Sequence, residues 1–138
     1  MFIKIYLITL LIFFIIDIIW LGLIAKNFYQ KYLGFLMTNS INWIVAVIIF
    51  YLLFIVGVIT FVIYPSLLNN FSLSKVILLG GFFGLVCYAT YDLTNLATIK
   101  NWPIIITIID IIWGTILTAI VSLVSFFIAK KIRIMKKL

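Results

Sequence analysis

Hydrophobic residues occur in four long runs that are separated only by short polar segments. The runs cover residues 2–25, 41–64, 75–98 and 104–129. A helix that crosses the hydrocarbon core of a bilayer needs about 20 mainly apolar residues, and each run reaches that length. The pattern therefore predicts an all-α membrane protein, a bundle of four transmembrane helices that forms a single transmembrane domain over residues 1–138.

The segments between the runs predict how the spans are connected. In residues 26–42, polar and aromatic side chains are mixed, which suits a short helix in the membrane interface or, alternatively, an ordinary loop. Pro65 is expected to end the second span, because proline has no amide hydrogen with which to continue a helix. Ser72 or Ser74 is a candidate N-cap of the third helix, and Pro103 suits the first turn of the fourth.

The composition agrees with this assignment and restricts the chemistry. The chain is 67% hydrophobic over 138 residues, whereas a soluble domain is about half apolar. We therefore expect no appended soluble domain, and we expect the first run to be a retained span rather than a cleaved signal peptide. Cys87 is the only cysteine and histidine is absent, so an intrachain disulfide is excluded and the commonest general base is missing.

The net charge of +7 comes from ten basic residues, most of them near the ends of the runs. Five belong to the C-terminal tail: Lys130, Lys131, Arg133, Lys136 and Lys137. With four spans both termini share one side, which carries seven basic residues against three on the other. The positive-inside rule therefore predicts cytoplasmic termini in the cell inner membrane, with anionic lipid headgroups rather than nucleic acid at the tail.

The three acidic residues, Asp17, Asp92 and Asp110, all lie inside hydrophobic runs. At 1.5 Å per residue, Asp17 and Asp110 lie about 12 Å from the outer ends of their spans, and Asp92 about 9 Å. The sequence therefore predicts that all three carboxylates share one layer in the outer half of the membrane.

Helical periodicity predicts which side chains face the bundle interior. At 100° per residue, the expected interior faces consist of Tyr6 and Asp17 in the first span; Asn42, Ala46, Gly57, Thr60 and Tyr64 in the second; Gly80, Gly81, Gly84, Tyr88, Tyr91, Asp92, Asn95 and Thr98 in the third; and Thr107, Asp110, Gly114, Thr118 and Ser125 in the fourth. Gly80 and Gly84 also form a small-xxx-small pair that allows close approach of another helix. The Ile, Leu and Phe side chains are expected to face lipid.

One short sequence occurs twice. Residues 15–20 and 108–113 both read Ile-Ile-Asp-Ile-Ile-Trp, which places each Trp one turn from an Asp on the same side of its helix. Because the first and fourth spans run in opposite directions, we expect two Asp/Trp pairs that flank one pocket from opposite sides.

Several motifs together resemble a known family. They are Asp17-x-x-Trp20-Leu-Gly22, the Asn42 entry to the second span, Tyr88-x-x-Tyr91-Asp92-Leu-Thr-Asn95-x-Ala97-Thr98 with Trp102-Pro103, and Asp110-x-x-Trp113-Gly114. In these the chain resembles the bacterial membrane-protein family catalogued as domain of unknown function 2177. The resemblance covers nearly the whole chain and implies a four-helix membrane protein. It implies no activity.

Buried aspartates favour ion or proton handling as the function. An ionised carboxylate in the membrane costs a few kcal/mol or more, and no Lys or Arg lies in the central part of a span. The acids are thus either protonated or face a wet cavity that binds a proton, a metal cation or a small organic cation. The predicted site comprises Asp17, Asp92 and Asp110 as binding groups, Tyr88, Tyr91, Thr94 and Asn95 as orienting groups, and Trp20 and Trp113 as walls. No organic cofactor is expected, and a homodimer is left open.

Two other functions stay open on the sequence. One is an intramembrane lipid-modifying enzyme that uses an aspartate as acid or base, although no catalytic residue can be named without a histidine or a nucleophile motif. The other is a structural or accessory subunit, in which the aspartates are interhelical hydrogen-bonding groups or pair with basic residues of a partner.

Overall fold

The computed structural model of the chain describes residues 2–37 and 42–135. Its α-helices are α1 (Phe2–Ile19), α2 (Lys26–Leu33), α3 (Asn42–Val58), α4 (Tyr64–Leu68), α5 (Leu73–Thr98) and α6 (Ile104–Met135). Within these ranges, the helices long and apolar enough to cross a membrane are Phe2–Ile24, Ile44–Leu68, Leu73–Thr98 and Ile104–Arg133. The predicted all-α, four-span fold is confirmed. The predicted roles of the Asn42 side chain and of Lys136 and Lys137 lie outside the described residues.

The second span continues past Pro65, so the prediction that this proline ends it is wrong. A π-helical turn, Ile59–Ile63, directly precedes α4, and Pro65 sits in the first turn of α4. A π turn shifts the local carbonyls out of the α-helical pattern, and the first turn of a helix does not need the proline amide. The helix ends after Leu68, where Asn70 adopts a φ of 49°.

The other predicted helix boundaries agree better with the structure. The Ser72 hydroxyl accepts a hydrogen bond from the Lys75 amide at 3.4 Å and caps α5, as predicted. Pro103 was predicted in the first turn of the fourth helix and instead lies immediately before α6. The predicted short helix between the first two spans is α2, which follows a second π turn, Trp20–Ile24. This π turn is the point where the chain leaves the first span.

The closest helix packing is between α5 and α6, and glycines on α5 make it possible. A methyl group at Gly84 would lie 2.5 Å from the Thr118 hydroxyl oxygen, and one at Gly80 would lie 2.9 Å from the Thr118 carbonyl oxygen. Both glycines are buried. The predicted interior faces are confirmed at Gly80, Gly81, Gly84 and Asp92 on α5 and at Thr107, Gly114, Thr118 and Ser125 on α6. The prediction is wrong for Tyr91 and Thr98, which are exposed near the end of α5.

The second span turns a different face inward from the one predicted. Ala46, Thr60 and Tyr64 are exposed, and Gly57 is half-buried against the Phe83 ring. The buried side chains of this span are Phe54, Ile55, Val58, Ile59, Val62, Ile63, Ser66 and Leu67. Apart from Ser66 this interior is apolar and packs into the main hydrophobic cluster, so the expectation that Ile, Leu and Phe side chains face lipid is wrong for this face. The π turn changes the angular register only for the residues in it and after it, which include Thr60 and Tyr64.

Candidate functional site: an aspartate, tryptophan and tyrosine network

The two Ile-Ile-Asp-Ile-Ile-Trp segments meet inside the bundle. The Trp20 and Trp113 rings stack with centroids 4.2 Å apart and planes within 9° of parallel. The Trp113 indole nitrogen on α6 donates a hydrogen bond to Asp17 on α1 at 3.2 Å, and the Trp20 indole nitrogen donates to Tyr29, which is bonded to Asp110. The two Asp/Trp pairs therefore flank one place in the bundle, with the two indoles stacked between them.

Asp17 ties three spans together. Its carboxylate accepts a hydrogen bond from the Tyr51 hydroxyl on α3 at 2.6 Å and one from the Trp113 indole nitrogen on α6 at 3.2 Å. The side chain is 5% exposed. Each carboxylate oxygen has one donor, so burial of this acid is compensated by hydrogen bonds from two other helices.

The Asp110 carboxylate is hydrogen-bonded to a residue that lies outside the four spans. The Tyr29 hydroxyl, on α2, donates a hydrogen bond to one oxygen of this carboxylate. The Trp20 indole nitrogen in turn donates to the Tyr29 oxygen at 3.4 Å. Burial, together with this hydrogen bond to Asp110, raises the pKa of the Tyr29 phenol, so Tyr29 stays protonated and able to donate. Thus α2 is docked onto the bundle by a polar contact.

Asp92 differs from the other two acids. Its side chain is completely buried, and among the described residues neither of its oxygens has a hydrogen-bond partner. It lies on the face of α5 that carries Gly80 and Gly84 toward α6. Asp110 lies on α6, the helix against which α5 packs at these glycines. A buried polar group without a partner is unusual in a folded protein and calls for a functional explanation.

The remaining predicted site residues make no hydrogen bond to an aspartate among the described contacts. Tyr88 packs its ring against Gly114 and lies edge-on to Phe54 at 6.2 Å. Tyr91 is 59% exposed and lies edge-on to Trp102. Thr94 is exposed and donates to the Thr90 carbonyl of its own helix at 2.6 Å, while Asn95 is half-buried.

Two tyrosines of the network were not predicted as site residues. Tyr51 lies in an apolar run, where a hydroxyl group needs a partner, and this was a usable signal. Tyr29 gave no such signal, because its contact with Asp110 depends on how α2 folds back against α6. Over the part of the chain that the structure describes, no three Asp, Glu, Cys or His side chains converge as a set that could hold a metal ion.

Comparison with known families agrees with this geometry. The family model DUF2177, described as a predicted membrane protein, matches residues 2–127 of the chain. The chain belongs to the DUF2177 family. No curated protein and no solved structure matches it. Family membership and four apolar helices together make this DUF2177 chain a multi-pass membrane protein.

Proposed function

We propose that the chain binds or translocates a proton or a small cation, and that Asp92 is the group that takes up the charge. The observation that carries the proposal is the complete burial of Asp92 without a hydrogen-bond partner among the described residues. An ionised carboxylate in such a place costs several kcal/mol. The favourable states of Asp92 are therefore the protonated acid and the carboxylate with a bound cation.

The neighbouring acids support different roles for the three aspartates. Asp17 has donors on both oxygens and acts mainly as a link between helices. Asp110 has a donor in Tyr29 and lies on α6, the helix packed against α5, which carries Asp92. Two nearby carboxylates in a low-dielectric interior favour holding one proton or one cation between them. Asp92 and Asp110 together thus form the proposed exchange site.

Tyr29 provides a route from this site to the membrane surface. It is half-buried on α2, just beyond the end of the first span, and its hydroxyl contacts Asp110. A hydroxyl group that both donates and accepts can pass a proton between an outer aqueous phase and a buried carboxylate. In the proposed sequence, Tyr29 takes up a proton from the outer aqueous phase as it gives its own proton to Asp110, so the phenol stays neutral. The proton then passes from Asp110 to Asp92, and the reverse order releases it.

A structural role is the second candidate, and the hydrogen bonds at Asp17 favour it. That carboxylate joins α1, α3 and α6, as expected of a polar group that fixes helix packing. An ionic pair between Asp92 and another membrane protein is disfavoured, because this side chain has no exposed surface. The lipid-modifying alternative has no comparable support among the contacts of the aspartates.

The decisive variant is Asp92→Asn, which keeps the side-chain size and removes the titrating group. We expect the purified wild type to show, in infrared difference spectra recorded during a pH titration, the carbonyl band of a protonated carboxylic acid. The Asp92→Asn variant should lose that band and should lose proton or cation flux in reconstituted vesicles, measured with a pH-sensitive or cation-sensitive dye.

Thr90→Val is the matched control on the same helix, because Thr90 is exposed and its hydroxyl bonds only to the Val86 carbonyl of its own helix in the described structure. It should behave as the wild type in both measurements. Asp92→Asn vesicles with wild-type flux and an unchanged carbonyl band would contradict the proposal. A folded, stable Asp92→Asn protein with no change in either readout would favour the structural role.

A further inference from the structure

An apolar groove runs along the outer surface of the bundle between α1 and α3. It has a volume of about 460 Å³. Its lining includes Leu7, Leu11 and Phe14 from α1 and Ile48, Tyr51 and Leu52 from α3. Five of these six side chains are exposed in the bundle, so the groove opens toward the membrane. The polar part of Tyr51 is turned away to Asp17 by its hydrogen bond.

A positive charge lies at one end of the same groove. Lys4 precedes Leu7, Leu11 and Phe14 by three, seven and ten residues, so all four share one face of α1. Lys4 is exposed and stands at the end of the bundle that also carries Lys131 and Arg133. From Lys4 to Phe14 the helix rises about 15 Å, which is half of a hydrocarbon core about 30 Å thick. The groove thus matches the depth of a single leaflet.

We propose that this groove is a binding site for an anionic phospholipid of the leaflet on the basic side of the bundle. One acyl chain lies along the stripe from Leu7 to Phe14, and the phosphate group lies beside Lys4. Charge complementarity selects the anionic headgroup, and the apolar lining selects the acyl chain. The site is separate from the Asp92 site and does not depend on the function proposed for it.

The test is native mass spectrometry of the full chain in detergent, with phosphatidylglycerol or phosphatidylcholine of identical acyl chains added. We expect phosphatidylglycerol to be retained preferentially, at one molecule per chain. Lys4→Gln should weaken its retention about fivefold, the factor expected for one lysine at an anionic surface. Leu11→Trp, which fills the groove, should lower retention of both lipids at least as much.

Each of these variants has a matched control. Thermal unfolding is measured for all four proteins to check that they remain folded. Lys131→Gln removes an exposed charge at the same end of the bundle, and Leu78→Trp enlarges a side chain that is 71% exposed on α5. Both should retain phosphatidylglycerol as the wild type does.

Four results would overturn the proposal. Equal retention of the two lipids would exclude headgroup recognition. Wild-type retention by Leu11→Trp would exclude an acyl chain in the groove. A loss in Lys131→Gln as large as in Lys4→Gln would place the lipid at the C-terminal tail. A dimer that Leu11→Trp abolishes would assign the groove to a second copy of the chain.

Discussion

At the scale of single residues, the three aspartates are chemically alike in the sequence but not in the bundle. Asp17 accepts two hydrogen bonds, Asp110 accepts one from Tyr29, and Asp92 accepts none from the described residues. The number of donors differs because each acid faces different neighbouring helices. An unpartnered buried carboxylate is the least stable of the three when ionised, and it is therefore the best suited to gain and lose a proton or cation.

Tyr29→Phe tests the docking of α2. The change removes the donor to Asp110 and the acceptor for Trp20, and it leaves the half-buried Asp110 carboxylate without a donor among the described residues. We expect the free energy of unfolding to fall by about 1–3 kcal/mol. Thermal unfolding in detergent measures this. Tyr32→Phe, on the same helix, is the control and should leave stability near that of the wild type; an equal loss in both variants would show that the Tyr29 hydroxyl has no special role.

At the scale of helices, the tightest contact depends on residues that lack a side chain. Gly80 and Gly84 let α5 approach the backbone and the Thr118 side chain of α6. This approach buries the part of α5 that leads to Asp92. In a membrane, where apolar side chains gain little by leaving lipid, such close packing supplies much of the helix association. The close packing of α5 and α6 at these glycines therefore keeps lipid away from the proposed exchange site.

Gly84→Ala should destabilise the bundle, because the added methyl group would overlap the Thr118 side chain and the backbone carbonyl of Gly114. Overpacking of this kind costs about 1–3 kcal/mol. Gly81→Ala is the matched control: its methyl group would lie 3.6 Å from the nearest atom, an ordinary contact. Chemical unfolding of the two variants should separate them. Equal stability would mean that α5 and α6 are not packed as closely as the structure shows.

At the scale of the whole molecule, basic residues concentrate at one end of the bundle. Arg133, near the end of α6, donates a hydrogen bond to the Leu67 carbonyl and so joins the ends of the second and fourth spans. Lys75 lies over the Phe71 ring at 3.5 Å from its centroid. Some of the described basic side chains at this end thus help to close the bundle. The others are available to lipid headgroups.

This charge distribution predicts that both termini lie on the cytoplasmic side. Reporter fusions that fluoresce only in the cytoplasm should be active at the N-terminus and at the C-terminus. Changing Lys4, Lys130 and Lys131 to Gln, while introducing three lysines near Lys100, should increase the inverted population, since the positive-inside bias then reverses. Fusions that report an external location for the wild-type termini would refute the orientation.

The sequence by itself determined the fold class, because four apolar runs of about 20 residues have few stable arrangements other than membrane-spanning helices. It also determined part of the interior faces of α5 and α6, where glycines and Asp92, Thr107 and Thr118 recur at helical spacing, but it wrongly placed Tyr91 and Thr98 inside. The Asp/Trp repeat predicted that Asp17, Trp20, Asp110 and Trp113 would come together. These features depend on local periodicity, which a single sequence contains.

Only the tertiary structure decided how the acids are partnered. The inward face of the second span depends on the π turn at Ile59–Ile63, and the partner of Asp110 depends on the path of α2. Neither leaves a periodic signal in the sequence. Asp17 has a donor on each oxygen, and Asp92 has none among the described residues; this distinction results from contacts between residues far apart in the chain. Such contacts are set by packing, and packing alone identified Asp92 as the group on which the proposed function depends.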